Sequence, residues 1–298
     1  MRVACVQLNS QDDVAANWAM ATRLVRRAAA AGARLVVLPE TWNYKGSARG
    51  IAAHAELLDG PSSTLASELA ADLGIFLLAG SIYEGTGVAD RSYNTSVLFA
   101  PNGQSLAVYR KIHLFDVTAG RTVYRESDSL LAGGQVVTAE IEGVTAGLSI
   151  CYDLRFPELY RALTLRGAVL QLVPSAFTAA TGAAHWEVLV RARAIENGCF
   201  VVASNQVGFH CRDRECYGHS MIVDPWGRVV ARLAEGVGVC GADLDFNLVA
   251  AVRRDIPSLQ HRRPEVYGAE ELRQPDGRDS AASALGADGS PSSLRART

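Results

Sequence analysis

Three reactive side chains sit at places where a chain of alternating strands and helices presents its loops. Glu40 follows the apolar run Leu35-Val36-Val37-Leu38 and Pro39. Lys111 ends the run Ser105–Arg110, within Tyr109-Arg110-Lys111-Ile112-His113. Cys151 follows Gly147-Leu148-Ser149-Ile150 and precedes Tyr152-Asp153-Leu154-Arg155-Phe156-Pro157-Glu158, where a helix is expected to begin. Loops at strand ends carry function because a rigid scaffold positions them. A thiol with a pKa near ~8.5 is only slightly ionised at neutral pH, so as a nucleophile it gains from a proton acceptor and a nearby cation. A carboxylate can take that proton and later activate water. An ammonium can hold the oxyanion formed when a carbonyl is attacked, and one well-placed donor lowers such a barrier by roughly 3–4 kcal/mol. Taken singly, each residue has a plainer reading: Cys151 as a buried structural thiol, Lys111 as a surface cation, Glu40 as a surface or capping acid.

The elements that must position these groups can be read from periodicity and turn signals. Arg2–Leu8 alternates as a strand, and Ser10-Gln11-Asp12-Asp13 reads as a capping box before a helix carrying Val14, Trp18, Leu24, Val25 and Ala28 and ending at Gly32. The wholly apolar run at Leu35–Leu38 suits a strand covered on both faces, and Val169–Val173 reads as another buried strand. Pro61-Ser62 opens a second helix ending near Gly74, and Ile75–Ser81 follows as a strand. Asn94–Phe99 and Ser105–Lys111 flank Pro101-Asn102-Gly103 as a hairpin. The second half repeats the pattern, with strands at Val144–Ile150, Cys199–Asn205, Ser220–Val223 and Val229–Ala231, and helices at Pro157–Arg166 and His185–Asn197. This alternation predicts a layered α/β fold with an internal pseudo-repeat, two sheets face to face with helices outside.

Composition narrows the function classes. The chain has 298 residues, 49% of them hydrophobic and 20% charged, with a net charge of -2. Neither disorder nor a collagen-like repeat describes the whole, and a near-neutral balance argues against nucleic acid as the main partner. No apolar run approaches the roughly 20 residues of a membrane-spanning helix, so no membrane association is expected. The strand-like N-terminus lacks the features of a signal peptide, which makes a cytoplasmic location the expectation. Six cysteines are too sparse for a disulfide framework. After about Tyr267 the composition turns to Gly, Ser, Ala, Asp, Arg and Pro, so the expected domain spans 1–268 and a disordered tail 269–298.

The segments around the three reactive residues closely resemble the signature motifs of the nitrilase, or carbon–nitrogen hydrolase, superfamily. They are Leu38-Pro39-Glu40, Tyr109–Asp116 and Cys151–Leu159, in the right succession. The resemblance implies a four-layer αββα sandwich and a Glu-Lys-Cys triad, with Glu40 as general base, Lys111 stabilising the tetrahedral intermediate and Cys151 as nucleophile. It also implies that Glu126, in Tyr124-Arg125-Glu126-Ser127-Asp128, stands beside the lysine, where composition alone suggests a solvated loop acid. Pro174–Thr178, Thr181–Glu187, Arg191–Glu196, Tyr217–Gly227 and Gln260–Pro264 look most like the branch of deaminated glutathione amidases, near relatives of the ω-amidases. Ala183, the segment Thr118–Val123, Cys211 and Cys216 depart from that pattern.

The reaction so implied is hydrolysis of a small carboxylate-bearing amide through a thioester, without a cofactor or a metal. The Tyr152 backbone N–H would share the oxyanion with Lys111, and His113 would brace the pocket wall. Arg155, four residues beyond Cys151, suits a substrate carboxylate through bidentate pairing or, equally, a structural ion pair with Asp153 or Glu158. An N-carbamoyl-amino-acid amidohydrolase, an ω-amidase and a catalytically silent scaffold are the alternatives. The expected partners are a small-molecule amide and a second copy of the chain, as a homodimer. His210, Cys211, Cys216 and His219 lack the spacing of a common zinc site. Gly218–Ile222 lacks the last glycine of a serine nucleophile elbow. Arg191 and Arg193 read as a solvated or ion-paired helix face.

Overall fold

The apolar runs become strands that are covered on both sides, and their alternate residues enter two different cores. A computed structural model describes residues 1–47, 50–88, 90–119, 122–210 and 214–268. The first half runs β1 (Arg2–Gln7), α1 (Val14–Ala30), β2 (Leu35–Val37), α2 (Pro61–Leu73), β3 (Phe76–Leu78), β4 (Ile82–Gly85), β5 (Ser92–Phe99), β6 (Ser105–Arg110), a hairpin of β7 (Asp116–Ala119) and β8 (Thr122–Arg125), then β9 (Leu130–Leu131). The second half runs β10 (Thr138–Ile141), β11 (Val144–Leu148), α3 (Pro157–Leu165), β12 (Leu170–Ser175), α4 (Ala179–Asn197), β13 (Phe200–Asn205), a hairpin of β14 (Val207–His210) and β15 (Arg214–Tyr217), then β16 (Met221–Val223), β17 (Val229–Arg232), β18 (Gly238–Asp243) and α5 (Asn247–Asp255).

Each half supplies a sheet with a parallel centre: β1-β2-β3 in one, β11-β12-β13 in the other. Antiparallel strands flank both centres. Side chains alternate across a strand, so Val3, Cys5, Leu35, Val37, Phe76 and Leu78 face the second sheet, where they join Leu148, Leu172 and Val202. Their neighbours Ala4, Val6, Val36 and Leu77 face outward against Ala21, Leu24 and Val25 of α1 and Leu69 of α2. Leu159 and Leu163 of α3 and Trp186 and Val190 of α4 cover the outer face of the second sheet. The result is the expected four-layer αββα sandwich with its internal pseudo-repeat. These elements belong to a compact unit, Met1–Pro257. The described part of the next unit, 258–268, consists of turns in which Val266 N–H donates to the Arg263 carbonyl. The tail expected over 269–298 lies outside the described residues.

Several local expectations are corrected. Helix α1 is capped by Asp13, whose Oδ1 accepts from Ala16 N–H at 3.0 Å, while Ser10 Oγ donates to the Trp42 carbonyl. Helix α4 starts at Ala179, six residues before the expected His185, because the small residues that open it allow a close approach. A Cβ on Gly182 would lie 2.2 Å from the Tyr217 ring. Of the segment Thr118–Val123, Thr118 pairs with Val123 and Ala119 with Thr122 between β7 and β8, and residues 120–121 lie outside the described residues. Strand β18 returns to the edge of the first sheet, pairing Cys5 with Cys240. Its Gly-Val-Cys-Gly-Ala-Asp sequence carries no strand signal of its own.

Candidate active site

Glu40 leaves β2 through a tight crossing that glycine makes possible. Gly80 has φ +46°, and a Cβ there would lie 1.9 Å from the Pro39 carbonyl oxygen. Ser81 then fastens the following turn, its Oγ accepting from Thr41 N–H at 3.0 Å and its carbonyl from Trp42 N–H. Lys111 emerges from β6, its backbone held by Asn94 of β5 and by Gly133. Cys151 begins a short 3₁₀ turn, Cys151–Arg155, with φ +47°, a left-handed conformation that costs a non-glycine residue roughly 1–2 kcal/mol.

The buried side chain of Asp153 opposes that strain. Its Oδ2 accepts from Ile150 N–H at 2.8 Å and from the Tyr109 hydroxyl at 2.6 Å. Its Oδ1 accepts from His113 N–H at 3.1 Å and lies 2.7 Å from His113 Nδ1. The His113 ring stacks on Phe156, with centroids 3.6 Å apart. His113 therefore works behind the nucleophile turn and is not itself among the residues lining the cavity.

The three reactive groups converge. Lys111 Nζ, 1% exposed, donates to Glu40 Oε1 at 3.0 Å and to Glu126 Oε2 at 2.9 Å. Glu40 also accepts from Asn94 Nδ2 and from Ala176 N–H, each at 2.8 Å, and stands beside the Cys151 thiol on the cavity wall. Glu126, the expected partner of the lysine, is itself held by Phe115 N–H at 2.8 Å. Glu40, Glu126, Cys151, Tyr152 and Arg155 all line one cavity. Arg155 forms no ion pair with Asp153 or Glu158. Its guanidinium instead packs over the Phe177 ring at 5.1 Å and the Tyr152 ring at 5.9 Å, and lies 3.2 Å from His185 Nδ1.

Burial and neighbouring charge set the protonation states. Burial and the Glu40 charge push the Cys151 thiol well above its ordinary range, against the opposing pull of Lys111. For Glu40 burial pushes upward, but the charges of Lys111 and Lys45 and the hydrogen bonds from Cys151 and Lys111 outweigh it and hold the acid below its usual value. Lys111 is drawn down by burial and raised further by Glu126 and Glu40, ending well above a normal lysine. At rest the site is thus a neutral thiol, a carboxylate acceptor and an ammonium, arranged for proton transfer as attack occurs.

A carbon–nitrogen hydrolase profile matches residues 2–254. The chain belongs to the carbon–nitrogen hydrolase family. It is 43% identical over 272 residues to a deaminated glutathione amidase of Homo sapiens, covering 89% of this chain and 83% of that protein. It is 37% identical over 275 residues to the omega-amidase NIT2 of Homo sapiens, covering 92% and 99%. The C. elegans NitFhit protein superposes with a TM-score of 0.83 at 38% identity. That match covers 89% of this chain, which spans 66% of the length of NitFhit. The hydrolase is an amidase of the nitrilase superfamily.

Sequence reasoning missed several residues of this hydrolase's site. Arg193 takes the ion-paired one of its two expected readings, with Glu196 at 2.8 Å, but is buried: Nε donates to the Leu154 carbonyl at 2.9 Å and the guanidinium lies over Tyr160. It falls on the stripe of Trp186, Val190 and Ala194, a signal its charge obscures. Asn94 and the Ala176 N–H gave no local sign of their role. Of the zinc reading, Cys211 lies outside the described residues. His210 and His219 each turn Nδ1 to a backbone carbonyl, and Cys216 is a buried thiol on the cavity wall.

Proposed function

We propose that this hydrolase cleaves the amide bond of a small carboxylate-bearing acyl amide of the deaminated glutathione type by covalent catalysis at Cys151. The observation that carries the reading is the buried Lys111 ammonium clamped between Glu40 and Glu126, with the Cys151 thiol beside Glu40 on the wall of the same cavity. As Cys151 Sγ attacks the carbonyl carbon, its proton passes to Glu40. Lys111 and the Tyr152 N–H meet the developing oxyanion. Glu40 then gives the proton to the departing nitrogen, the C–N bond breaks, and a thioester remains. Glu40 next takes a proton from water, whose oxygen attacks the thioester, and the proton returns to the leaving thiolate. Glu126 keeps Lys111 charged and oriented, with Phe115 N–H fixing Glu126 in turn. Arg155, backed by two aromatic rings, receives the carboxylate of the acyl portion. Asp153 and His113 act as positioning residues under the turn.

The test is intact-protein mass spectrometry after mixing with candidate amides. A transient acyl mass on the Cys151 peptide, absent from Cys151→Ala, supports the reading, and turnover by Cys151→Ala refutes it.

The same reading includes a cytoplasmic homodimer. Helix α4 exposes Val188 (66%) and Ile195 (53%), seven residues apart and thus on one face, and Ile195 lies against Gly227, the residue after the exposed Trp226 (49%). An apolar stripe of this kind suits burial against a second copy. No helix of the described residues is long and apolar enough to cross a membrane.

A further inference from the structure

We infer that Cys5 and Cys240 form an oxidisable pair that closes to a disulfide and fastens the last strand of the first sheet to the strand beside it. This site lies apart from the catalytic cavity and does not depend on the amidase reading.

Strand β1 carries Cys5 and β18 carries Cys240, and their antiparallel register sets the two residues directly opposite each other. Opposed residues of an antiparallel pair have Cα atoms about 4.5–5.5 Å apart, inside the range of about 4.4–6.8 Å that a disulfide spans. The two side chains also share a face. Cys5 is fully buried between the sheets and Cys240 packs against the same core, whereas the next opposed pair, Val6 and Val239, belongs to the outer core. The sulfurs reach neighbouring carbonyls of one facing segment: Cys5 Sγ lies 3.5 Å from the Met221 oxygen, and Cys240 Sγ lies 3.7 Å from the Ser220 oxygen. Two thiols from the beginning and the end of the sandwich thus converge. Among the described residues no other strand register opposes two cysteines.

The strand that such a bond would hold is weakly specified by its own residues. It is the edge of its sheet, and its Gly-Val-Cys-Gly-Ala-Asp sequence loses extra backbone entropy at two glycines. Apart from the ladder, one end is tied by Arg2 to Asp243 at 2.8 Å, an exposed ion pair of small worth.

The chemistry divides between the two thiols. Cys240 is half-buried and Cys5 is inaccessible, so an oxidant meets Cys240 first. The Cys5 side chain beside it holds the Cys240 thiol below the ordinary cysteine range against the effect of burial. Burial, and then Cys240, push the Cys5 thiol well above that range. With hydrogen peroxide as the oxidant, the Cys240 thiolate attacks one oxygen, the O–O bond breaks, and the expelled hydroxide takes up the thiol's proton as water. Cys5 Sγ then attacks the sulfur of the Cys240 sulfenic acid. The S–S bond forms as the S–O bond breaks, and the Cys5 proton leaves with the hydroxide as a second water. Two thiols give up two electrons and two protons, and one peroxide becomes two waters.

The test is peptide mapping of the full chain after treatment with a small molar excess of hydrogen peroxide. Remaining thiols are blocked with N-ethylmaleimide in denaturant before digestion. The expected result is a Cys5 peptide joined to a Cys240 peptide and parted by dithiothreitol. The bond closes a loop through nearly the whole sandwich, so the melting temperature is expected to rise by roughly 5–15 °C on oxidation and to fall back on reduction. Peroxide is expected to leave the melting temperature of Cys240→Ala unraised. The mapping is read on the unsubstituted chain, so it stands even where that variant is less stable. Both thiols still alkylated after peroxide, Cys240 halted at the sulfinic acid, or a bond from either to another cysteine overturns the inference. A Cys5–Cys240 bond without a rise in melting temperature overturns the fastening of β18.

Discussion

Replacing Asp153 by asparagine removes a negative charge from beneath the nucleophile turn while keeping the side chain's shape. The two carboxylate oxygens receive contacts from Ile150 N–H, the Tyr109 hydroxyl, His113 N–H and His113 Nδ1. An amide has one oxygen, so one of these pairs must face an NH₂ group. If that pair is His113, the ring can present its other tautomer, but the His113 backbone N–H loses its acceptor. If it is Ile150 and Tyr109, the hydroxyl can rotate and accept, but the Ile150 N–H is orphaned. Either orientation leaves one backbone donor of the turn unsatisfied, at about 1–3 kcal/mol, and weakens the charge-assisted bonds that remain. The expected loss for Asp153→Asn is about 2–4 kcal/mol, which lowers the melting temperature by roughly 5–15 °C for a unit of this size. Activity is expected to fall further than stability explains. The left-handed Cys151 is held against its own strain by the Ile150 contact, and a displacement of about 1 Å costs roughly 100-fold in rate. The assays are thermal unfolding and kcat at a temperature where both proteins are folded. A variant that melts within 1–2 °C of the wild type (roughly the error of such a scan) and keeps its kcat would refute the argument that Asp153 holds the turn.

Three further outcomes are expected. Activity should stay flat with pH from above the usual carboxylate range, about 4.3, to at least the usual thiol range, about 8.5. The reason is that Glu40 titrates below its ordinary value while Cys151 and Lys111 titrate above theirs. Stability follows the same signs: the Glu40 contribution is present above about 4.3 and lost as pH falls through its lowered value, whereas that of Lys111 is present below about 10.4 and lost as pH rises through its raised one. A rate that climbs with a midpoint near neutrality would show instead that a thiolate forms before substrate binds. Gly80→Ala should cost more than about 2 kcal/mol, because the new Cβ meets the Pro39 carbonyl at a left-handed residue, and should reduce kcat by displacing Glu40. Normal activity in that variant would separate the crossing from the base. Ile195→Glu should yield a monomer by sedimentation, and an unchanged dimer would place the interface elsewhere.

The sequence by itself determined the strands that carry the reactive groups and the order in which they appear. Period-two alternation and buried apolar runs are local properties, so Arg2–Gln7, Leu35–Val37 and Leu170–Ser175 announced themselves without reference to partners. The helix of Pro61–Leu73 was legible for the same reason, with proline at its start and glycine after its end. Resemblance then singled out Glu40, Lys111, Cys151 and Glu126; the fold hydrogen-bonds Lys111 to Glu40 and Glu126 and sets Cys151 beside Glu40 on one cavity wall. Only the tertiary structure decided that Asn94 and the Ala176 N–H hold Glu40, and that Arg193 supports the nucleophile turn from α4. It alone returned β18 to β1 and turned His210 to Ser10, leaving its other nitrogen in the cavity. A buried polar group is tolerated only when a distant residue satisfies it, and its own neighbours in sequence say nothing about that partner.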